Sequence, residues 1–345
     1  RMDSLGDVLL SGPLVRAVAA GGERVTYLAS GAGAPAARIL PGVDRVEVDR
    51  AGWIEWDPPP VTRTGVEGLV ERVRRLEIDV ALVLTSFHQS PLPMAMVLRM
   101  AGVPRIGAIS VDYPGSLLDI RHRVDDDIHE VVRSLSLGKA MGYQLPVGDD
   151  GSLQVELPDT AGVHAETPGG DYVVVHPGAS AAARAWRADG HAEVVEQLAR
   201  AGWKVVVTGG PDERALTAQV AGRRGIDLGG LLDLPDLARV VGGASAIVVG
   251  NTGPAHLAAA VSTPVVSLYA PTVPACRWRP WRVPHILLGD QAIACAGCRA
   301  RRCPVPGHPC LAGVEAPDVV RAVERLAEGS PSPLSADGAL IGGGS

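Results

Sequence analysis

The chain has almost no lysine: Lys139 and Lys204 are the only two in 345 residues. Any site for a phosphate must then draw on arginine, main-chain N–H groups or the ends of helices. Aromatic residues are scarce as well, at 3% with a single phenylalanine, so a platform for stacking single-stranded bases is lacking. Basic charge is not in excess either. At a formal net charge of −6 the chain carries no general field for a polyanion, and nucleic acid is not an expected partner. No window approaches the ~18 uninterrupted apolar residues that suggest a membrane span. The apolar opening that closes on Ala17-Val-Ala-Ala20 is interrupted by Asp3 and Asp7 and is not read as a signal peptide. Because the chain starts at Arg1 and not at Met, a few residues, enough for a first strand, are expected to be missing from the front.

What is present is a globular composition, 46% hydrophobic and 20% charged, long enough for two domains with a core each. The stretch from Ala246 to Thr272 organises the rest. Ala246-Ile-Val-Val-Gly250 is a run of the kind that forms a buried parallel strand, and Ala255 to Val261 is a small-residue helix. Asn251-Thr-Gly-Pro254 joins them. A strand that feeds a helix through such a turn presents several N–H groups and the positive end of the helix dipole, which together make a seat for an anion such as a diphosphate. Gly253 admits a ligand close to the main chain, Pro254 suits a first helical position, and Thr252 adds a hydroxyl. The competing reading is a turn that does nothing but turn, since Gly-rich turns are weak motifs. His256 is open in the same way: it either donates to a phosphate or caps the helix and packs.

Elsewhere strands and helices alternate. Val8 to Ala20 predicts a helix stopped by Gly21-Gly22, followed by a strand at Arg24 to Ala29, a helix ending at Leu40 and a short strand at Val46 to Val48. Gly31-x-Gly33-x-x-Ala36 with Asp49 beyond has the form of a dinucleotide fingerprint, but Pro35 sits inside the loop and the strand is not the first of its fold. An amphipathic helix is expected at Gly65 to Leu76 and a buried strand at Val80 to Leu84. Polar residues after a strand are where open α/β sheets hold ligands, so His88 and Gln89, ahead of a helix from Leu92 to Met100, are candidate acceptor contacts beside their plain reading as loop residues. A strand at Arg105 to Gly107, a polar loop to Asp127 and a helix from His129 to Gly142 complete the first half. Between Leu145 and Gly170 the composition turns to Pro, Gly, Asp and Thr, with a strand-like piece at Leu153 to Leu157, and the domain boundary is expected there. Alternation restarts with strands at Tyr172 to Val175 and Lys204 to Thr208 and helices at His191 to Ala201, up to Arg223, and Leu234 to Gly242. Strands alternating with helices twice over predict two doubly wound α/β domains with parallel sheets, and Ser330 to Ser345 is expected to be disordered.

Three loops of the second half leave the C-terminal ends of strands: His176 to Trp186, Gly209 to Glu213, and Asn251 to His256. In a doubly wound sheet they converge, offering amides, Arg184, the acids Asp212 and Glu213 and a helix N-terminus, which are the parts a nucleotide requires. Arg184 can take phosphate oxygens bidentately, and an acid at a neighbouring strand end can accept from ribose hydroxyls. With Arg1-Met-Asp-Ser-Leu-Gly-Asp-Val-Leu-Leu, His176-Pro-Gly-Ala-Ser, Arg184-Ala-Trp186, Thr208-Gly-Gly-Pro-Asp-Glu213, Asn251-Thr-Gly-Pro-Ala-His256 and Tyr269-Ala-Pro-Thr272 in order, the chain resembles glycosyltransferase family 9, the ADP-heptose heptosyltransferases of lipopolysaccharide synthesis.

The resemblance implies a GT-B fold: two Rossmann-like doubly wound domains facing a central cleft, 1–155 binding the acceptor and 165–328 the nucleotide sugar, with 329–345 a disordered tail. It implies transfer with inversion and without a metal, most naturally of heptose from ADP-heptose, by a cytoplasmic monomer. The acceptor would be a lipopolysaccharide-type glycan, which can lie at a membrane surface, or a small-molecule natural product. Asp7 falls on the family's general base, Ser180, Arg184, Thr252 and Gly253 on diphosphate positions, Glu213 on a ribose contact and Leu232 near the adenine, with Asn251 and His256 beside the donor. This chain departs from the family at Asn251, usually Asp, at Arg184, often Lys, and at Leu10, frequently His. On spacing alone Asp7 also reads as the cap of a helix that starts near Val8. An epimerase or hydrolase of the same fold, or a silent nucleotide-sugar binder, is the rival function.

Five cysteines are present. Cys295-x-x-Cys298-x4-Cys303-x6-Cys310 lie in a basic, Pro-containing loop with Cys276 apart. Such thiols could enclose a structural Zn²⁺, although the spacing is not that of a standard ribbon. No part in the chemistry is expected for them, and Arg299, Arg301 and Arg302 read as a solvated face.

Overall fold

The computed structural model describes residues 1–329 apart from 56–57, 87, 126, 159–163 and 165; the expected tail from 330 onward lies outside the described residues. Contacts divide the chain into two compact units, Arg1–Glu156 and Leu157–Ser345.

The first unit carries α1 (Leu5–Leu10), α2 (Gly12–Ala19), β1 (Thr26–Ala29), α3 (Ala34–Ala37), β2 (Arg45–Val48), α4 (Arg63–Arg74), β3 (Val80–Val83), α5 (Leu92–Met100), β4 (Arg105–Ile109), β5 (Ile120–His122) and α6 (Glu130–Met141). Its strands pair in parallel as β1–β2 and as β3–β4–β5. Alternation sorts the side chains of the larger sheet. Val83, Ile106 and Ala108 join α4 and α5 in one core, while Ile109 packs with Leu137 and Met141 of α6 on the other face. Gly107 lies under α6, where a Cβ would stand 2.2 Å from Met141 Sδ, so the strand admits no side chain there.

The helix expected over Val8 to Ala20 is two helices. Pro13 has no N–H for a continuous ladder, and Ser11, whose hydroxyl donates to the Val8 carbonyl at 2.6 Å, makes the break. The first begins at Leu5 with Ser4 as its cap, so Asp7 sits inside the first turn and is not the cap. Leu153 to Leu157 forms no strand; one hydrogen bond, Glu156 N–H to the Ile39 carbonyl at 2.8 Å, ties that extended segment down. The polar loop before Asp127 hides β5, too short and too charged to announce itself by periodicity.

The second unit carries β6 (Tyr172–His176), α7 (Ala188–Arg200), β7 (Lys204–Val207), α8 (Arg214–Ala221), β8 (Ile226–Asp227), α9 (Leu234–Gly242), β9 (Ala246–Gly250), α10 (Gly253–Ala260), β10 (Val265–Leu268), α11 (Ala275–Trp278), β11 (His285–Leu288), α12 (Pro309–Ala312) and α13 (Ala316–Ala327). Its six strands form one parallel sheet in the order β11-β10-β9-β6-β7-β8. Val173, Val175, Val205, Val207 and Val248 face α7, α8 and α13, whereas Val174, Val206, Ile247 and Val249 face α9 and α10. Burial on both faces is why these strands are nearly unbroken valine and isoleucine. Among the described residues no helix is long and apolar enough to cross a membrane.

In the first unit Arg16 clamps Asp149 with Nε–Oδ2 at 2.6 Å and Nη2–Oδ1 at 2.9 Å, and Nη2 also donates to the Ser152 carbonyl at 2.8 Å. The Arg16 hydrogen bond holds the Asp149 carboxyl below its usual range against the opposing effect of burial, with the Gly151 N–H helping. A depressed carboxylate stabilises the fold above its unfolded pKa of about 3.9 and loses that contribution as pH falls through its folded value. Asp149→Ala is therefore expected to cost about 2 kcal/mol in urea denaturation at pH 7, and the difference from the unmodified chain should narrow as pH falls through the depressed folded value of Asp149.

Candidate functional site

In the second sheet the chain goes from β6 to one side through β7 and β8, then returns to place β9 on the other side of β6 and continues outward through β10 and β11. At such a reversal of strand order the connections leave neighbouring strands in opposite directions, and a crevice opens beyond the C-terminal ends. The loops that follow β6 and β9 stand on either side of it.

Arg184 lies in a short 3-10 turn, Ala182–Arg184, after β6. Its Nε donates to Thr272 Oγ1 at 3.2 Å, and its Nη1 reaches the Asn251 carbonyl at 3.5 Å. One guanidinium thus touches the loops after β9 and β10 as well as its own. The fit is close: a Cβ on Gly250 would lie 3.1 Å from the Arg184 carbonyl oxygen.

Glu213 closes the other side. Its Oε2 accepts the Gly210 N–H at 2.7 Å, and the carboxylate lies against Gly178 in the His176-Pro-Gly loop so tightly that a Cβ there would be 2.1 Å from Oε1. His176 shares a hydrogen bond with Thr208 Oγ1 at 3.0 Å; burial lowers its pKa while the nearby Glu213 pulls it up. Burial likewise drives His191 down to about 3, and the neutral ring packs edge-on against Trp186 with centroids 5.0 Å apart. Gly230 N–H donates to the Gly209 carbonyl at 2.8 Å, which brings the segment carrying Leu232 alongside the Glu213 loop. Leu232 itself is half-buried against the core below α9.

Thr252 caps α10 in extended conformation, and Gly253 and Pro254 form its first turn. The Thr252 hydroxyl is buried with no hydrogen-bond partner among the described residues, in a position where polar atoms are normally satisfied. Asn251 is buried and donates from Nδ2 to the Ala270 carbonyl at 3.1 Å, so its amide holds β9 to β10. His256 is buried in α10, and Ser180 is exposed ahead of the 3-10 turn. The structure therefore brings Arg184, Asn251, Thr252 and Gly253 together and sets Glu213 beside Gly178. Thr272, which accepts from Arg184, was not among the candidates; its position at the end of the Tyr269-Ala-Pro-Thr run was the available signal.

In the first unit Asp7 meets more than the sequence reading foresaw. Its Oδ1 accepts from Arg1 Nη2 at 3.0 Å and its Oδ2 from Ser4 Oγ at 2.8 Å. Gln89, expected to face an acceptor, spends its amide internally: Nε2 donates to Asp3 Oδ1 at 2.7 Å and Oε1 accepts the Ser86 N–H at 3.0 Å. His88 is exposed. The Gly31 loop packs its Gly33 against the start of the chain. Gly33 lacks a side chain because a Cβ would be 2.8 Å from Val8 Cγ2 and 3.0 Å from the Asp3 carbonyl oxygen.

Cys295, Cys298, Cys303 and Cys310 line one cavity of about 30 Å³ together with His308, and Cys276 lies outside that lining. Among the described residues no group of three or more His, Cys, Asp or Glu side chains is placed to hold a metal ion, so the arrangement lends the zinc reading no support. The same loop braces the site. Ala183 N–H donates to the Arg301 carbonyl at 2.9 Å and Arg299 N–H to the Thr272 carbonyl at 2.9 Å. Arg299, Arg301 and Arg302 are exposed, as a solvated face would be.

The contact of Gly178 with Glu213 is open to a direct check. Gly178→Ala should destabilise the chain by about 1–3 kcal/mol in urea denaturation, and Gly178→Ala with Glu213→Ala should recover most of that loss, because the clashing carboxylate is gone. Equal loss in the single and double variants would refute the contact.

Comparison with known proteins gives the family and the fold. Residues 66–308 match the family described as glycosyltransferase family 9 (heptosyltransferase). Lipopolysaccharide heptosyltransferase 1 of Pseudomonas aeruginosa is 30% identical over 300 residues, 78% of this chain and 81% of that protein. Among solved structures, a family 9 glycosyl transferase from Veillonella parvula superposes with a TM-score of 0.76 at 19% identity, covering 96% of each chain. An Escherichia coli heptosyltransferase, WaaC, solved with ADP-2-deoxy-2-fluoro heptose, superposes with a TM-score of 0.67 at 20% identity over 94% of this chain and 98% of its own. The α/β fold with parallel sheets is that of the GT-B heptosyltransferases, and the chain belongs to glycosyltransferase family 9, the heptosyltransferases.

Proposed function

We propose that this chain moves a heptosyl group from ADP-heptose onto a hydroxyl of a glycan or small-molecule acceptor, inverting the anomeric carbon and using no metal. The observation that carries the reading is Arg184 bridging the Asn251 carbonyl and the Thr272 hydroxyl beside an unsatisfied Thr252 hydroxyl at the start of α10. Two arginine nitrogens, a hydroxyl and the N-terminal amides of an eight-residue helix supply positive potential where a diphosphate would depart. A relative solved with an ADP-heptose analogue supports the choice of donor.

In this reading Asp7 takes the proton of the acceptor hydroxyl as its oxygen bonds to the anomeric carbon, and the bond from that carbon to the diphosphate breaks, releasing ADP. Glu213 accepts from the ribose, Leu232 lies near the adenine, and Ser180 and His256 stand by the phosphates. The unit Arg1–Glu156 takes the acceptor and the unit Leu157–Ser345 the donor. The family resemblance supports a cytoplasmic monomer whose acceptor can lie at a membrane surface.

The test is a panel of nucleotide sugars scored by nucleotide release with and without acceptor. ADP-heptose should give acceptor-dependent release, Asp7→Asn should lower kcat by at least about 100-fold, and Arg184→Ala should lower kcat/KM for donor by about 100-fold. Transfer by Asp7→Asn at the unmodified rate sinks the base assignment. Asn251→Asp should also lose activity although the resemblance implies Asp as the usual residue there, because a carboxylate cannot donate to the Ala270 carbonyl; a gain in donor affinity would overturn that account.

A further inference from the structure

Behind Asp7 lies a buried charge cluster that the transfer step does not by itself require. Arg1 is 2% exposed, and its guanidinium faces three carboxylates: Asp3 at 3.0 Å, Asp7 at 3.0 Å and Glu130 at 3.6 Å. Asp3 is 6% exposed and Glu130 1%, whereas Asp7 is 17% exposed and is the member open to a ligand. The members come from separate parts of the chain. Asp3 and Asp7 flank the start of α1, Glu130 is in the first turn of α6, and the connection after β3 adds the neutral Ser86, whose Oγ accepts from Arg1 at 3.3 Å, and Gln89. Tyr27 of β1 also faces Arg1; burial drives its hydroxyl above the usual range, and it donates no charge. Arg133, one turn along α6, acts on His122.

A guanidinium shared among carboxylates cannot give any one of them its whole charge. Every carboxylate that competes for Arg1 leaves Asp7 more basic, and every loosening of Arg1 leaves Asp7 both more basic and less fixed. Glu130 meets the Arg1 guanidinium at 3.6 Å. Its share of the Arg1 guanidinium is charge that Asp7 does not receive, and Asp3, whose carboxyl burial pushes up while Arg1 pulls it down, competes for Arg1 in the same way and also feels the charge of Asp7 directly.

We infer that Arg1 and Glu130 are positioning residues for the transfer reaction: Arg1 aims Asp7 by its Oδ1, and Glu130, by holding part of the guanidinium charge, keeps Asp7 basic enough to take the acceptor proton. This rests on the reading of Asp7 as the base. It adds that the strength of that base is set from α6, at residues that touch no substrate.

The experiment is the pH profile of kcat/KM for acceptor in the unmodified chain, Glu130→Gln, Arg1→Met and Asp7→Asn, with donor binding by calorimetry as the folding control. Glu130→Gln should shift the acid limb to lower pH by about half a unit to one unit, with kcat falling severalfold and donor affinity unchanged. Arg1→Met should shift the limb the opposite way by about one unit and lower kcat by up to about 100-fold through misplacement of Asp7. If Arg1→Met does not fold, Arg1→Lys replaces it, with a smaller shift of the same sign expected because the point charge remains without the fork. A merely structural role lowers activity without moving the limb. Should Asp7→Asn be inactive while the limb stays fixed, or moves the same way, in both other variants, the positioning inference fails and the base assignment stands. Should Asp7→Asn stay active, the base assignment is what fails.

Discussion

Two close approaches to glycines set where the loops on the edge of the second sheet stand. At Gly178 the carboxylate of Glu213 occupies the space of a side chain, and at Gly250 the carbonyl of Arg184 nearly does. Each approach presses the loop after β6 against a neighbour, Glu213 from the loop after β7 and the strand end of β9. With a methyl group at either glycine these loops would be held apart, and the short arm from Arg184 Nε to Thr272 Oγ1 would no longer span the gap. The parallel order of the strands puts the loops on one edge, but the missing Cβ atoms bring them within hydrogen-bonding distance.

The alternation of strand and helix, and the strand at Ala246–Gly250 with its helix, were legible because β-branched runs buried on both faces and small-residue helices are strong local signals. The break at Ser11 was announced by Gly12-Pro13 and was masked by apolar residues on both sides of it. β5 and β8 are three and two residues long, below the length at which periodicity says anything. Among the candidate site residues, Arg184, Thr252 and Gly253 could be placed because a turn and a helix end specify their own geometry. The partners of Gln89 and Asn251 could not. An amide side chain at a strand end reads as a ligand contact, yet in the fold both ends of the Gln89 amide are spent, on Asp3 and on the Ser86 N–H, whereas Asn251 gives its NH₂ to the Ala270 carbonyl and keeps a buried Oδ1 without a partner among the described residues. The cluster around Arg1 was invisible for a related reason: its members stand at positions 1, 3, 7 and 130, and nothing local connects the last to the others.

Thr252 and the cysteine loop show the same economy. With so little lysine in the chain, positive potential at the strand ends has to be built from fixed parts: a helix terminus, an unsatisfied hydroxyl and an arginine braced from behind. The loop bearing Cys295 to Cys310 supplies that bracing through its main chain, from Arg301 to Ala183 and from Arg299 to Thr272. Its thiols line the space beneath without entering those bonds.

Arg184 and Asn251, the two departures from the resembled family in this region, make physical sense together. A lysine can place a point charge near a diphosphate, but it cannot hold a hydroxyl by one nitrogen and a carbonyl by another in a planar fork. Arginine does both here, so it organises two loops as well as carrying charge. With its Nη1 at the main-chain carbonyl of residue 251, an aspartate at that position would add a negative charge near the guanidinium and lower the positive potential there. Asparagine keeps the position polar, uses its NH₂ to fix the Ala270 carbonyl, and brings no negative charge of its own. Under the proposed transfer, the exchange surrenders an anionic contact to the sugar and returns a more positive seat for the leaving group, which is where charge develops as the glycosidic bond breaks.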